Sequence, residues 1–183
     1  MTAVRAATRA DLPRCREIQT AALAEPWPDL LPTALETDAV FLVLTDPGDD
    51  ELLGYAVALA ATDEPAYLPE FAVHPDRQGE GHGSTLMQAL LATLAERGHD
   101  TVRLTVQASD ERARGFYESR GFVVRERRPD HYEADDGLLL ERSLGDFPDS
   151  EESDGTDGTV GSNDGDRTGD GEGSVDSDGS DSS

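Results

Sequence analysis

Three glycines at every second position form the part of the sequence that points most directly to chemistry. Gly79, Gly81 and Gly83 lie between a strand-like segment ending at Val73 and a strong helical pattern. Glycine adopts positive φ at little cost and lets a ligand approach the backbone closely. N–H groups at the start of the helix would then point outward along the helix dipole, which suits a pyrophosphate. Ser84 occupies the sixth position of the dinucleotide fingerprint G-x-G-x-x-G, so the spacing argues against a Rossmann site.

Two longer runs give the glycine turn a context. Residues 78–83 (QGEGHG) resemble the Q/R-x-x-G-x-G/A loop of the GNAT acetyltransferase family, and residues 73–75 stand where that family has V-x-P. Residues 110–122 (DERARGFYESRGF) resemble the family's N-x-x-A-x-x-x-Y-x-x-x-G-F segment. Residues 4–12 are similar to its usual opening strand and helix, so the resemblance covers residues 1–144.

This resemblance implies an α/β fold of the α+β kind, with a splayed, mostly antiparallel sheet flanked by helices. Residues 1–145 would form the acetyltransferase domain. Strands over residues 67–73 and 101–108 would part, and the pantetheine arm of acetyl-coenzyme A (acetyl-CoA) would insert between them. Acetyl-CoA would be the co-substrate, an amine-bearing molecule or protein would be the acceptor, and no metal would take part.

The resemblance also implies a set of cofactor contacts. Main-chain groups around Phe71 and Val73 would pair with the amide and thioester of the cofactor, and N–H groups from Gly79 to Ser84 would hold its pyrophosphate. The residues expected to bind the cofactor are Phe71, Val73, Gln78, Gly79, Gly81, Gly83, Ser84 and Asp110.

Two side chains are the candidates for proton transfer. Acyl transfer from a thioester to an amine requires a neutral amine, a donor for the oxyanion and a proton for the departing thiolate. Tyr117 falls on the position that protonates the thiolate in many family members, although it could simply pack on the sheet. Glu70 could accept the proton of the amine through a water, although it could equally be a surface carboxylate. His74 and His131 are weaker candidates, each explained as well by a turn or loop.

Three residues depart from the family pattern. Gln78 stands where many members have Arg, Glu80 lies in a loop that should hold phosphates, and Asp110 replaces an Asn. An ionised Asp only accepts hydrogen bonds, whereas Asn also donates. We expect Glu80 to weaken cofactor binding at low salt unless a nearby arginine compensates. The arginines available in the sequence for that purpose are Arg77, Arg112 and Arg114.

The acceptor is less defined. The family resemblance implies that residues 25–28 and 127–132 shape its pocket, where Trp27 and Tyr132 could stack on a substrate or cover the core. Protein N-termini, amino acids, polyamines and aminoglycosides all remain possible acceptors.

Hydrophobic periodicity predicts the elements that must position these residues. Thr8 and Asp11 resemble a capping box and predict a helix that ends near residue 24. The predicted order is β-α-α-β-β-β-α-β-α-β-β. Strands are expected over residues 4–7, 39–45, 52–62, 67–73, 101–108, 122–127 and 138–144. The later helices are expected over residues 32–36, from the glycine turn to residue 97, and over residues 111–120.

Composition excludes several classes of protein. The chain has 183 residues and no lysine, which excludes a Walker A loop and a Schiff-base lysine. Its single cysteine, Cys15, excludes an internal disulfide and a cysteine-cluster zinc site. Apolar stretches without charge or proline, such as residues 52–62, are too short for a bilayer, and no signal peptide is evident. We therefore expect a cytoplasmic monomer or homodimer without a membrane partner.

The net charge is −24, and residues 146–183 carry 13 acidic residues against one arginine, with eight glycines and eight serines. This composition predicts a disordered acidic tail, and a chain this acidic is not expected to bind nucleic acid. The acidity fits a protein adapted to a salt-rich, halophilic cytoplasm, where charge repulsion is screened. A coding bias toward arginine with a solubilising tail, or a tail that binds a basic partner, would also explain it.

The leading hypothesis is therefore an N-acetyltransferase that uses acetyl-CoA. The alternative is a non-catalytic member of the same fold that binds an acyl-CoA or a protein partner. An unrelated anion-binding α/β domain is a third, minor hypothesis.

Overall fold

A computed structural model of the chain describes residues 2–145. Within them, strands and helices follow one another in the predicted order. The strands are β1 (Ala3–Ala6), β2 (Val40–Asp46), β3 (Glu51–Leu59), β4 (Ala66–Val73), β5 (Thr101–Gln107), β6 (Val123–Tyr132) and β7 (Asp135–Ser143). The α-helices are α1 (Leu12–Ala22), α2 (Leu30–Glu36), α3 (His82–Glu96) and α4 (Glu111–Glu118). The predicted acidic tail over residues 146–183 lies outside the described residues.

The strands form one mixed sheet in the order β1-β2-β3-β4-β5-β7-β6. Neighbouring strands are antiparallel except β4 and β5, which are parallel. These two pair only at Ala66 with Val102 and at Tyr67 with Arg103, and then separate. The predicted splayed, mostly antiparallel sheet is confirmed.

Helices cover both faces of the sheet. The predicted apolar face of α3 is buried in one core cluster, which also contains Leu42 and Leu44 of β2. Phe41 and Val43 of the same strand belong to the other cluster, with Cys15 and residues of α1 and α2. Because successive side chains of a strand point to opposite faces, α3 and the pair α1–α2 lie on opposite sides of β2. None of the helices within residues 2–145 is long and apolar enough to cross a membrane.

The junction between β1 and α1 is fixed by one carboxylate. Asp11 accepts two hydrogen bonds of 2.8 Å from the Arg5 guanidinium and one of 2.7 Å from the Thr8 N–H. The predicted capping box is therefore present. The Arg5 guanidinium, with further help from Thr8, lowers the pKa of Asp11 to about 2.

The largest boundary difference concerns β6. The sequence predicts a strand that stops at residue 127, before Pro129, whereas β6 continues to Tyr132. Its pairing with β7 is irregular between Arg128 and Tyr132, and β6 is the edge strand of the sheet. Proline is tolerated there because an edge strand does not need every N–H for a ladder.

Candidate active site

A cleft of about 750 Å³ opens where β4 and β5 separate. It is bounded by these strands, by the glycine turn before α3 and by α4. All ten predicted site residues line it: Glu70, Phe71, Val73, Gln78, Gly79, Gly81, Gly83, Ser84, Asp110 and Tyr117. Residues that are up to 47 positions apart in the sequence are thus brought to one cavity.

The edge of β4 beside the cleft carries backbone groups that β5 does not use. His74 N–H donates to Leu53 O on β3 at 2.8 Å. Because backbone groups alternate sides along a strand, those of Phe71 and Val73 face the gap toward β5. Pro69 also faces the gap and has no N–H to leave unpaired. The Gln78 side chain donates to Val73 O at 3.0 Å, which shows that this oxygen is accessible from the loop.

The glycine turn serves two purposes. Gly79 and Gly81 have φ of +83° and +86°, a conformation in which a side chain would be strained. The first backbone bond of α3 runs from Thr85 N–H to Gly81 O at 3.2 Å, so the N–H groups just before Thr85 have no partner within the helix. Gly83 instead allows a close approach between α3 and α4, because a Cβ there would lie 3.0 Å from Phe116 Cε2.

Tyr117 lies on α4 in an aromatic cluster. Its ring contacts Phe71, Phe116 and Phe122, with centroid separations of 6.4, 5.2 and 5.5 Å. Burial among these rings raises the pKa of the Tyr117 phenol, and the nearby Asp110 carboxylate raises this pKa further. The hydroxyl forms no hydrogen bond with any of residues 2–145, so a protonated phenol is available to a ligand in the cleft.

Glu70 is the main correction at this site, because the surface glutamate considered from the sequence is in fact buried, at 4% exposure. Gln19 Nε2 donates to both carboxylate oxygens, at 3.0 and 2.9 Å. Trp27 N–H and Tyr55 OH each donate at 2.8 Å. Burial and the Glu70 charge raise the pKa of Tyr55, which therefore remains a donor. No motif of the sequence indicated Gln19, which is 51 positions from Glu70, or Tyr55, which lies on the neighbouring strand β3.

The three arginines expected to offset the charge of Glu80 have different partners in the structure. Arg77 Nη1 lies 3.9 Å from Glu80 Oε2, but Arg77 also pairs with Glu51 at 3.3 Å. His82 Nε2 lies 2.9 Å from the same Glu80 oxygen. Arg114 pairs with Glu118 instead, at 3.6 Å. Of the three arginines proposed from the sequence, Arg112 lines the cleft.

Arg120 is a cleft residue that the sequence analysis missed. It donates to Ser84 Oγ at the start of α3 and to Phe116 O at 2.7 Å. Its guanidinium carbon lies 3.7 Å from the centroid of the Phe116 ring. The sequence offered only a weak signal, an arginine two residues before the end of a motif, since its neighbour Ser84 is 36 positions away.

Asp110 and His74 have local roles in the structure. The Asp110 carboxylate accepts from Ala113 N–H at 3.0 Å and caps α4, so one of its oxygens is already used. His74 Nδ1 accepts from Asp76 N–H at 3.2 Å. His74 is thus the turn histidine considered from the sequence.

The mouth of the cleft near the predicted acceptor segments is acidic and aromatic. Glu25 and Tyr132 line it, and Tyr132 OH donates to Thr105 O at 3.1 Å. Burial raises the pKa of Tyr132 to about 12. His131 packs edge-on against Tyr132. The Trp27 side chain is 53% exposed, and its backbone rather than its ring contacts Glu70.

Comparison with known proteins shows which enzymes the chain resembles. The model of the "Acetyltransferase (GNAT) family" matches residues 11–122. The [Ribosomal protein bS18]-alanine N-acetyltransferase of Escherichia coli strain K12 is 34% identical over 128 residues, which are 69% of this chain and 84% of that protein.

Solved structures are similar over the described fold. The crystal structure of the ribosomal-protein-S18-alanine N-acetyltransferase from Escherichia coli superposes with a TM-score of 0.72 at 28% identity, covering 79% of this chain and 94% of that one. Ard1 from Thermoplasma volcanium gives 0.70 at 25% identity, covering 78% and 97%. A GNAT family acetyltransferase from Elizabethkingia anophelis, solved with acetyl-CoA bound, shares the fold with a TM-score of 0.67 at 15% identity, covering 78% and 97%.

Proposed function

The chain belongs to the GNAT acetyltransferase family, and on this premise we propose that it transfers the acetyl group of acetyl-CoA to an amine, which attacks the thioester directly. The observation that carries the proposal is the separation of β4 from β5, which opens a cleft onto unpaired backbone groups of β4. When bound, acetyl-CoA supplies the activated acetyl thioester.

The residues present fit this co-substrate. The Phe71 and Val73 backbone groups face the gap and can pair with amide and thioester groups. The N–H groups between Gly79 and Ser84 offer several donors at the start of a helix of 15 residues, which is a favourable place for a pyrophosphate. In this proposal Gln78 releases Val73 O when the cofactor binds.

Tyr117 is proposed to give its proton to the departing thiolate sulfur. The raised pKa of the phenol keeps it protonated at neutral pH, and the hydroxyl is not committed to another residue in the described structure. A protonated phenol whose hydroxyl has no other partner can donate its proton to a basic leaving group.

Glu70 is proposed to take the proton of the incoming ammonium through a water. Its carboxylate borders the cleft and is held by neutral donors, with no arginine among them. Since no cationic side chain pairs with it, this carboxylate can attract an ammonium at that end of the cleft.

We propose a protein N-terminus as the acceptor. The name of the Escherichia coli relative states that it acetylates an alanine of a ribosomal protein. Because the alanine side chain has no nitrogen, the amine of such a substrate is a terminal α-amine. The α-ammonium group, with a pKa of about 8, is easily made neutral, and the carboxylates of Glu25 and Glu70 line the cleft that would receive it.

The test is thiol release from acetyl-CoA with a panel of amines, in dilute and in concentrated KCl. We expect turnover with a peptide that begins with alanine and none with the same peptide already acetylated at its N-terminus. A lysine-containing, N-acetylated peptide and a polyamine test the other acceptor classes. Tight CoA binding without thiol release for any amine would instead support a non-catalytic binding protein.

A further inference from the structure

A second cavity, of about 360 Å³, borders the cleft at the start of α3. Ser84 and Arg120 line both spaces. Buried Met87 and Leu91 contribute an apolar part of its wall, while Gln88, Ser119 and Arg142 add polar groups. The cavity therefore begins at the point where the glycine turn would hold a pyrophosphate, and the proposed function leaves it without a role.

The charge of this cavity is opposite to that of the chain. Its charged lining residues are both cationic, Arg120 and Arg142, in a protein of net charge −24. Gly121 has φ of +88° and no side chain, and a Cβ there would lie 3.4 Å from Arg142 Nε. The end of α4 thus leaves space for the Arg142 side chain beside Arg120.

Arg120 differs from most arginines of this protein in its partners. Arg14, Arg77 and Arg103 all pair with glutamates, at 3.1, 3.3 and 2.7 Å. Arg120 instead donates to three neutral oxygens: Ser84 Oγ, Phe116 O and Ser119 Oγ. Within residues 2–145 no carboxylate lies within ion-pairing distance of it. A partly buried guanidinium without an acidic partner is a site for an anion that is not part of the protein.

Arg120 is also held in place before any ligand arrives. It stacks on Phe116, which in turn contacts the position of Gly83 and the ring of Phe71. Because little side-chain freedom remains to be lost, a phosphate binding here would pay a small entropic cost. The same contacts tie Arg120 to the glycine turn and to the strand edge of the cleft.

We propose that this cavity holds the 3′-phosphate on the adenosine ribose of coenzyme A, with Arg120 and Arg142 as its cationic partners. The inference rests on the proposed use of acetyl-CoA. Coenzyme A carries this phosphate one nucleoside beyond the pyrophosphate, and the cavity lies directly beside the pyrophosphate turn. The Gln88 side-chain amide provides a further hydrogen-bond donor for the phosphate oxygens. The protein should therefore distinguish coenzyme A from dephospho-coenzyme A, which differs from it only in this phosphate.

The test is calorimetric titration of the full chain with coenzyme A and with dephospho-coenzyme A at one fixed salt concentration. We expect the wild type to bind coenzyme A at least about ten-fold more tightly, as for loss of one charge-assisted phosphate contact. Arg120→Gln and Arg142→Gln should each reduce this ratio, mainly by weakening coenzyme A. Arg97→Gln, which removes the same charge at the other end of α3, should leave the ratio unchanged.

The ratio is measured within each variant, so a modest loss of folded protein does not alter it. Equal affinity of the wild type for both ligands overturns the assignment of this cavity and leaves the proposed function intact. An unchanged ratio in both arginine variants overturns the assignment as well. Absence of binding for both ligands would refute the use of coenzyme A itself, and with it this inference.

Discussion

Tyr117 and Glu70 are single residues of one cleft that are held in different surroundings. Tyr117 is surrounded by aromatic rings, which raise its pKa and keep its proton in place. Glu70 is equally inaccessible to bulk water, but it accepts four hydrogen bonds from Gln19, Trp27 and Tyr55. These donors hold the Glu70 carboxylate in one orientation beside the cleft. One group is thus suited to give a proton and the other to receive one.

Tyr117→Phe should reduce kcat at least about ten-fold, because the thiolate would leave without a general acid. The ring that packs on Phe71 and Phe122 is retained, so the Kd for coenzyme A should be nearly unchanged. Turnover by thiol release and Kd by calorimetry check this. Tyr67→Phe is a matched control that removes a hydroxyl bonded to Thr105 and should retain turnover. Full activity of Tyr117→Phe would remove this residue from the mechanism.

Glu70→Gln should lower kcat at neutral pH, again by about ten-fold or more. The difference from wild type should narrow as the pH rises through about 8, because an α-amine then loses its proton to solvent. The amide would also face Trp27 N–H and Tyr55 OH with one acceptor fewer, at a cost of about 1–3 kcal/mol in unfolding free energy.

Tyr55→Phe separates these two effects on Glu70, since it removes one donor and leaves the carboxylate. We expect it to lose stability but to keep the pH profile of the wild type. A pH-independent loss of turnover in Glu70→Gln would show that Glu70 positions the Trp27 segment rather than moving a proton.

At the scale of elements, the cleft results from β5 having two different neighbours. Residues Thr101–Gln107 pair along their whole length with β7, while only the first part of β5 pairs with β4. Pro69 stands on β4 just after the last pair and has no N–H to extend the parallel ladder. The gap is therefore a consequence of how the strands pair, and residues of α3 and α4 also line the cleft.

Gly83→Ala tests the contact between α3 and α4. The added Cβ would lie 3.0 Å from the Phe116 ring, so we expect a loss of about 1–3 kcal/mol in unfolding free energy and weaker coenzyme A binding. Gly115→Ala on α4 is the matched control, because its Cβ would meet no atom within 4 Å. That variant should gain about 0.5–1 kcal/mol from helix propensity. Equal stability of both variants would contradict the close packing at Gly83.

The Asp11 carboxylate predicts an acid-dependent contribution at the start of α1. Its pKa is lowered from 3.8 to about 2 by Arg5, so the unfolded chain binds this proton more readily than the folded chain. The stabilisation is therefore complete above pH of about 4 and is lost as the pH falls toward 2. Asp11→Asn should destabilise the protein at pH 7, and denaturant unfolding should show the difference shrinking below pH 4. A constant difference over that range would mean that the ion pair contributes little.

The whole molecule carries a net charge of −24 and is proposed to bind a ligand that carries several negative phosphates. Few of its arginines face the cleft, so long-range repulsion opposes binding in dilute buffer. In about 1 M salt the Debye length falls to roughly 3 Å, which screens that repulsion more than it weakens contacts at hydrogen-bond distance.

We therefore expect acetyl-CoA to bind more tightly in about 2 M KCl than in dilute buffer. Removing residues 146–183, which the sequence predicts to be a separate tail, should leave the affinity in high salt unchanged. Calorimetry on the full chain and on residues 1–145 checks both statements. Weaker binding in high salt would contradict the halophilic interpretation, and a large loss on truncation would contradict the proposed domain boundary.

Much of the fold could be predicted from the chain because local patterns there agree with the tertiary structure. The helical period of α3, the alternation in β5 and the capping box at Thr8 each describe a short segment whose own physics decides its form. The order of elements was therefore correct. The predicted end of β6 was wrong, because Pro129 is tolerated only on an edge strand. Whether a strand lies at the edge depends on the strand order of the whole sheet, which no single segment determines.

Residues that line the cleft were predicted in the same way, since Gly79, Gly81 and Tyr117 belong to short contiguous motifs that can be recognised locally. The partners of Glu70 and the position of Arg120 could not be predicted like this. Gln19 and Glu70 are 51 positions apart, and Arg120 meets Ser84 across 36 positions. Contacts of that span depend on how helices pack on the sheet. The sequence by itself thus determined which chemistry the loop and the helix can support. Only the tertiary structure decided which carboxylate is buried and which guanidinium has no acidic partner, because burial and pairing depend on the whole packed chain.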